Sequence, residues 1–311
     1  MKSLLTPVNL FVIFYVFVFS ASVHAFTCRT SDGTGINAAG GKATVFVDLD
    51  PTIQVGQNLV VDLANHITCK NDLPNSRRDE ITLRDGSIFA GNLASFTGAL
   101  TYYGQSFPFP LRSSSQSVNF PSGSYTPLQI RLFITPVNAG ASGVLVQKNQ
   151  EFARLIMQQR GSNINGGGNV EVHTFIWNIM AKNDVVMPIG GCDVSARDVN
   201  ITLPDFPGSV TDVPLTVRCA QTKNVSYFLT GPTTGHDPSI FVNTASSPAA
   251  GVGVQISHNG GTPINSGSAI NIGNIGTSPV SLGLKANYAR TGDRITAGNV
   301  KSIVGVTFIY Q

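Results

Sequence analysis

Four cysteines, Cys28, Cys69, Cys192 and Cys219, are the residues whose type and spacing most directly suggest chemistry, two of them early in the chain and two late. In an oxidising compartment this spacing predicts one disulfide in each half, Cys28–Cys69 and Cys192–Cys219. Loops of those lengths would each stabilise the fold by about 3–4 kcal/mol by restricting the unfolded chain. Zinc is the competing chemistry and fails on spacing, since no CxxC pair exists and the five histidines are scattered. No metal or cofactor is expected. Taken alone, Asn71-Asp72-Leu73-Pro74 is a turn. Gly166-Gly167-Gly168 would suit a phosphate, but no strand–loop–helix pattern surrounds it, which leaves a flexible loop. Arg77-Arg78 reads as a solvated pair ahead of a ligand clamp.

The compartment follows from the first residues. Lys2 supplies a positive charge, an apolar run covers Leu10 to Phe19, and Ser20-Ala21-Ser22-Val23-His24-Ala25 carries the small residues a signal peptidase reads. This predicts a secretory signal peptide over residues 1–25, cleaved after Ala25 to leave Phe26 first. A membrane anchor is the poorer reading, because about ten consecutive apolar residues cannot span roughly 30 Å of hydrocarbon. What remains is soluble and long enough for about two domains. Only 12% of the residues are charged and the net charge is +3 without a basic cluster, so nucleic acid is not an expected partner.

The elements that must position any site are strands. Val45, Val47 and Leu49 alternate with Phe46 and Asp48, and Ile130, Leu132 and Ile134 with Arg131 and Phe133. The same period runs through 170–177 and through Val199, Ile201 and Leu203. Short alternating runs broken by Gly, Pro, Asn and Ser predict antiparallel all-β sandwiches. Residues 151–159 carry a helical alternative, but strand-like neighbours favour strand. Pro188-Ile189-Gly190-Gly191 reads as a short flexible linker between a domain over 26–187 and another over 192–311. It is short enough that the two domains must touch or nearly touch. The chain ends in an alternating strand, Val304 to Tyr310, whose exposed edge would invite aggregation unless something pairs with it.

Several runs resemble a known family. Phe26-Thr27-Cys28, Val55 to Leu63, Cys69-Lys70-Asn71-Asp72, Phe107-Pro108-Phe109-Pro110, Ile134-Thr135-Pro136-Val137 and Trp177-Asn178-Ile179 are similar to the lectin half of the mannose-specific tip adhesins of type 1 fimbriae. Gly190 to Val199, Ala286 to Arg290 and Gly305-Val306-Thr307-Phe308 are similar to their pilin half. The resemblance implies two immunoglobulin-like antiparallel sandwiches, the second an incomplete pilin fold lacking its last strand. It implies that a periplasmic chaperone, and then the adjacent fimbrial subunit after passage through an outer-membrane usher, donates that strand by β-augmentation. Val306, Phe308 and Tyr310 would line the edge so recognised. Only Phe26 and Thr27 precede Cys28, too little to donate onward, which places the chain at the tip of an extracellular fimbria.

The resemblance also implies a sugar site for mannosylated or related host glycans. Phe26 (through its new ammonium), Asn71, Asp72, Asp79 and Gln159 match the family's binding residues. Gly161 stands where the family has Asn, with Asn163 the nearest substitute, and Glu171 replaces an Asp. The family's apolar collar departs most, with Leu73 in place of a gate tyrosine, Arg77 and Ala38 in place of isoleucines, and His173 in place of Phe. These departures leave galactose-type or acidic glycans, or a non-binding structural tip subunit, as alternatives to mannose. An enzyme is not expected. A glycosidase needs two carboxylates across a scissile bond, one with a raised pKa, whereas a ring of acceptors around a terminal sugar would stay ionised.

Overall fold

The structure is a computed structural model that describes residues 26–310 apart from 37, 38, 139, 260 and 293. The expected signal peptide and Ala38 lie outside the described residues. Among the described residues all regular structure is strand apart from the 3-10 turns Leu63–Asn65 and Gly91–Leu93. No helix among the described residues is long and apolar enough to cross a membrane.

Two separate hydrophobic cores organise the sheets. In the first half, one sheet runs in the order Val118–Asn119, Arg77–Leu83, Glu151–Asn163, Glu171–Ala181 and Gly41–Val47, and a second is built around Gly98–Tyr102, Ile130–Ile134 and Gln57–Asp62. Alternation explains the packing: Phe175, Trp177 and Ile179 are fully buried while Thr174 is exposed. Each large apolar side chain so buried contributes about 1.5–3 kcal/mol. The Tyr102 hydroxyl crosses from one sheet to the other and donates to the Ile81 carbonyl at 2.9 Å. Residues 151–159 are strand, within Glu151–Asn163.

A third small sheet closes one end of this sandwich. Phe26–Thr30 pairs antiparallel with Ile67–Asn71, bringing Phe26 opposite Asn71 and Cys28 opposite Cys69. The two cysteines are disulfide-bonded, and so are Cys192 and Cys219, again directly opposed on neighbouring strands.

The second half places Lys223–Thr230 between Ile270–Ile275 and Gly305–Tyr310, with Val252–His258 and Leu284–Arg290 in a facing sheet. The strand expected at Val199–Leu203 is absent. Val199, Ile201 and Leu203 are partly buried and Asn200 and Thr202 exposed, so the alternation is real, but the segment has no strand beside it to complete a ladder. Gly305–Tyr310 pairs with Lys223–Thr230 on one side alone.

The linker differs from expectation as well. Pro188 belongs to a strand paired with Gly143–Val146, and Asn58 Nδ2 donates to the carbonyls of Pro188 and Gly190 at 3.0 and 2.9 Å. The Ile189 and Gly191 amides donate to Ser142 and Asn138. A segment bonded at every residue is not a flexible break. The halves also touch directly, since the Ala141 amide donates to the Tyr310 hydroxyl at 2.8 Å and Arg197 donates to the Ala141 carbonyl.

Candidate functional site

Three neighbouring strands change character at the same level. Arg77–Leu83 runs from Arg77 and Asp79 to Ile81 and Leu83, Glu151–Asn163 reaches Gln159, Gly161 and Asn163 beyond Met157, and Glu171–Ala181 starts with Glu171 and His173 ahead of Phe175. Their register aligns Arg77 with Asn163, Asp79 with Gly161, and Gly161 with Glu171. Residues two apart share a face, so these polar side chains share the inward face with Phe175 and Trp177. Polar groups thus take over from the core at one end of the sandwich.

Gly161 is the centre of that patch. A Cβ there would lie 2.9 Å from Gln159 Nε2 and 3.1 Å from both Arg77 Nη2 and Asp79 Oδ1. Gln159 Nε2 donates to Asp79 Oδ1 at 2.7 Å. Asp79 is 0% and Gln159 2% exposed, yet Asp79 Oδ2 and Gln159 Oε1 have no hydrogen-bond partner. Burial pushes the Asp79 carboxyl up to about 6, while the Gln159 hydrogen bond and the Arg77 charge pull it the other way. The negative charges of Asp72 and Glu171 add to the rise.

Arg77 is not the solvated residue its sequence suggests. It is 8% exposed and its Nη1 donates to Asn163 Oδ1 at 3.1 Å and to the Asn169 carbonyl at 2.9 Å. Its Nη2 lies 3.4 Å from Glu171 Oε2, which is also 3.7 Å from His173 Nε2. Arg78, one residue on, points outward and pairs with Glu80 at 2.8 Å. The signal that separates the two arginines is period 2: Arg77 shares a face with Asp79, Ile81 and Leu83, and Arg78 does not.

The other expected residues divide. Asn163 and Glu171 join the patch through Arg77. Asn71 is buried and its side chain makes the turn, accepting from the Leu73 amide and donating to the Arg77 carbonyl, each at 2.8 Å. Asp72 accepts from the Thr27 hydroxyl at 2.5 Å and pairs with Lys70 at 2.7 Å. The Phe26 ring is buried edge-on against Phe120 and Phe175, and the Phe120 amide in turn donates to the Asp79 carbonyl at 2.7 Å.

In the second half, Val306, Phe308 and Tyr310 are half-buried on the inward face of Gly305–Tyr310. Val194, Val199 and Leu203 pack against the same core, also only partly covered. Among the described residues no group of three or more His, Cys, Asp or Glu could hold a metal.

Comparison with known proteins accords with this geometry. A family model described as FimH, mannose binding, matches residues 28–178, and one described as fimbrial protein matches residues 190–311. The type 1 fimbrin D-mannose specific adhesin of Escherichia coli (strain K12) is 49% identical over 96% of this chain and 98% of its own. The S-fimbrial protein subunit SfaH of Escherichia coli O6:K15:H31 (strain 536 / UPEC) is 35% identical over 94% and 99%. A solved chaperone–tip subunit complex from the Csu pili of Acinetobacter baumannii covers 90% of this chain and 99% of its own at 12% identity, with a TM-score of 0.29, too low to carry an argument. With relatives matched end to end at such identity, this chain belongs to the FimH family of fimbrial adhesins, a family of lectins and not of enzymes.

Proposed function

We propose that this protein is a fimbrial tip adhesin that binds terminal mannose, or a closely related neutral hexose, at the polar end of its first sandwich. The supporting observation is that Asp79 Oδ2 and Gln159 Oε1, two buried acceptors at this end, have no hydrogen-bond partner. Buried polar atoms without partners are rare and need a reason, and a pyranose hydroxyl supplies one. Phe26, Asn71, Asp72, Asp79, Gln159, Asn163 and Glu171 are the residues assigned to that site. The ammonium exposed by cleavage before Phe26 would add a charged donor.

The rest of the molecule is assigned to assembly. Residues 26–187 are the lectin domain, 188–191 the linker and 192–311 the pilin domain. The half-buried apolar side chains of Val194, Val199, Leu203, Val306 and Phe308, beside a strand with a free edge, suit a strand donated first by a periplasmic chaperone and, beyond the outer-membrane usher, by the adjacent subunit. The mature chain would then sit at the extracellular end of the fimbria.

The test uses the full chain, cut before Phe26 and purified with its chaperone. Binding to an immobilised mannosylated glycoprotein, displaced by methyl α-mannoside, is the expected result. Retention by galactose-terminated or sialylated glycoproteins, with no displacement by the mannoside, would reject mannose.

A further inference from the structure

We propose that Arg77 is a positioning residue that ties the glycine-rich hairpin tip on one side of the binding end to the turn on the other, and so fixes a wall of the site before any ligand arrives. The inference rests on the reading of this end as the sugar site and adds what holds that site in shape.

The hairpin joining Glu151–Asn163 to Glu171–Ala181 has little to order its tip from within. Pairing of the two strands ends at Gly161 opposite Glu171, and the tip beyond carries Gly166-Gly167-Gly168. Gly166, Gly167 and Asn169 lie in the left-handed region, at φ 82, 66 and 58°. A run of glycines has the most backbone freedom to lose, and a left-handed Asn is uncommon. Ile164, Val170 and Val172 stay exposed, so the tip gains little from burial. Inside it, the Asn163 amide donates to the Gly168 carbonyl at 2.9 Å. From outside, two consecutive residues hold it. The Ser76 carbonyl accepts from the Ile164 amide at 3.1 Å, and Arg77 Nη1 donates both to Asn163 Oδ1 and to the carbonyl of the left-handed Asn169.

Arg77 can act as a strut because its own backbone is fixed. Its amide donates to the Leu73 carbonyl and its carbonyl accepts from Asn71 Nδ2, each at 2.8 Å, within the turn that also carries Asp72. Its side chain is 9% exposed and its Nη2 lies 3.4 Å from Glu171 Oε2, at the start of the next strand. A Cβ at Gly161 would come within 3.1 Å of Nη2, so the bare Cα there is what lets the guanidinium lie across to the hairpin. One planar fork thus joins the turn at 71–77, both ends of the tip and Glu171, a reach that suits Arg and not a shorter or aliphatic side chain. A wall fixed in advance spares the ligand the cost of ordering it.

The experiment uses the full chain, cut before Phe26 and held by its chaperone, as wild type, Arg77→Met, Arg77→Lys, Asn163→Ala and the double variant Arg77→Met with Asn163→Ala. Hydrogen exchange read by mass spectrometry follows the peptide that contains the Asn163 and Ile164 amides, with the peptide around the buried Trp177 as the control for folding. Met fills the space of the side chain without donating, so Arg77→Met should speed exchange of the tip by about tenfold or more and leave the control unchanged. Arg77→Lys, a donor without the fork, should recover part of that protection, and Asn163→Ala should add little to Arg77→Met because both break one tether. Calorimetric titration with methyl α-mannoside should give affinity lower by about tenfold in Arg77→Met and partly restored in Arg77→Lys. If Arg77→Met also unsettles the control peptide, the same comparison is made between Arg77→Lys and Asn163→Ala, which should both exchange faster than wild type at the tip alone. Tip exchange equal to wild type in Arg77→Met would overturn the proposal, as would faster exchange with undiminished mannoside affinity, or Lys and Met behaving alike. A wild type that binds no hexoside would reject the sugar site itself, and tip exchange would still decide whether Arg77 is the strut.

Discussion

Replacing Asp79 by Asn should stabilise the protein at neutral pH while weakening its sugar binding. The Asp79 carboxyl is fully buried and burial raises it from 3.8 to about 6. A folded state that holds the proton more tightly than the unfolded state gains stability from this group at low pH. That stability is complete below 3.8 and is lost as the pH rises through about 6. At about 1.4 kcal/mol for each tenfold, keeping the carboxylate ionised at pH 7 costs the fold roughly 3 kcal/mol. Asn fills the same volume without titrating. Asp79→Asn and wild type should therefore unfold alike near pH 4 and diverge above it, the variant ahead by about 3 kcal/mol at pH 7, or roughly 6–12 °C in melting temperature for a domain of this size. Urea unfolding followed by fluorescence is the assay, because the chain's one tryptophan, Trp177, is fully buried in this core. The gap should be widest in a chain carrying a short polar extension ahead of Phe26. It should narrow in a chain that begins at Phe26, where a nearby ammonium would favour the carboxylate. In the same variant, mannoside affinity should fall about 10- to 100-fold, the worth of a hydrogen bond to a charged acceptor. Equal stability of the two proteins at pH 7, or a gap that does not change between pH 4 and 7, would refute the reasoning.

Gly161→Ala places a methyl group 2.9 Å from Gln159 Nε2 and 3.1 Å from Arg77 Nη2 and Asp79 Oδ1, so the side chains assigned to the sugar must shift. Calorimetry should show sugar affinity lower by about tenfold or more, and the fluorescence transition should shift by no more than about 1–3 kcal/mol. Phe308→Asp puts a carboxylate on a half-buried position opposite Tyr227, in the groove assigned to the donated strand. Co-purification with a chaperone should be lost, while Phe26–Leu83 and its partner strands in the first sandwich keep their fold; undiminished co-purification would move the assembly edge elsewhere.

How much of this was legible in the sequence depended on how local the cause was. Val45 and Val47 face the core and Phe46 does not, as their alternation requires, because the strand's period of 2 is written into consecutive residues. The helical alternative for 151–159 loses to strand because Leu155 and Met157 must face the same core as Ile81 and Leu83. The disulfides link residues that are direct cross-strand neighbours. Where the cause was distant, local pattern failed. The partners that hold Arg77, Asn163 and the Asn169 carbonyl, lie far along the chain, although its inward face follows from the period it shares with Ile81 and Leu83. Val199 to Leu203 has the alternation of a strand without a partner to pair with. The linker owes its order to Asn58, Asn138 and Ser142, far away in the chain. Asn71 shows a mixed outcome, since its own turn engages its side chain at both ends.

The central claim is that a neutral sugar binds at the polar end of the first sandwich, beside Asp79 and Gln159. A glycan array probed with the full chain, cut before Phe26 and completed by a donor-strand peptide, tests it most directly when Asp79→Asn is probed beside it. Signal on glycans with terminal mannose or a related neutral hexose, abolished in the variant, is the predicted result. Signal that survives in the variant, or that falls on acidic glycans, would contradict it.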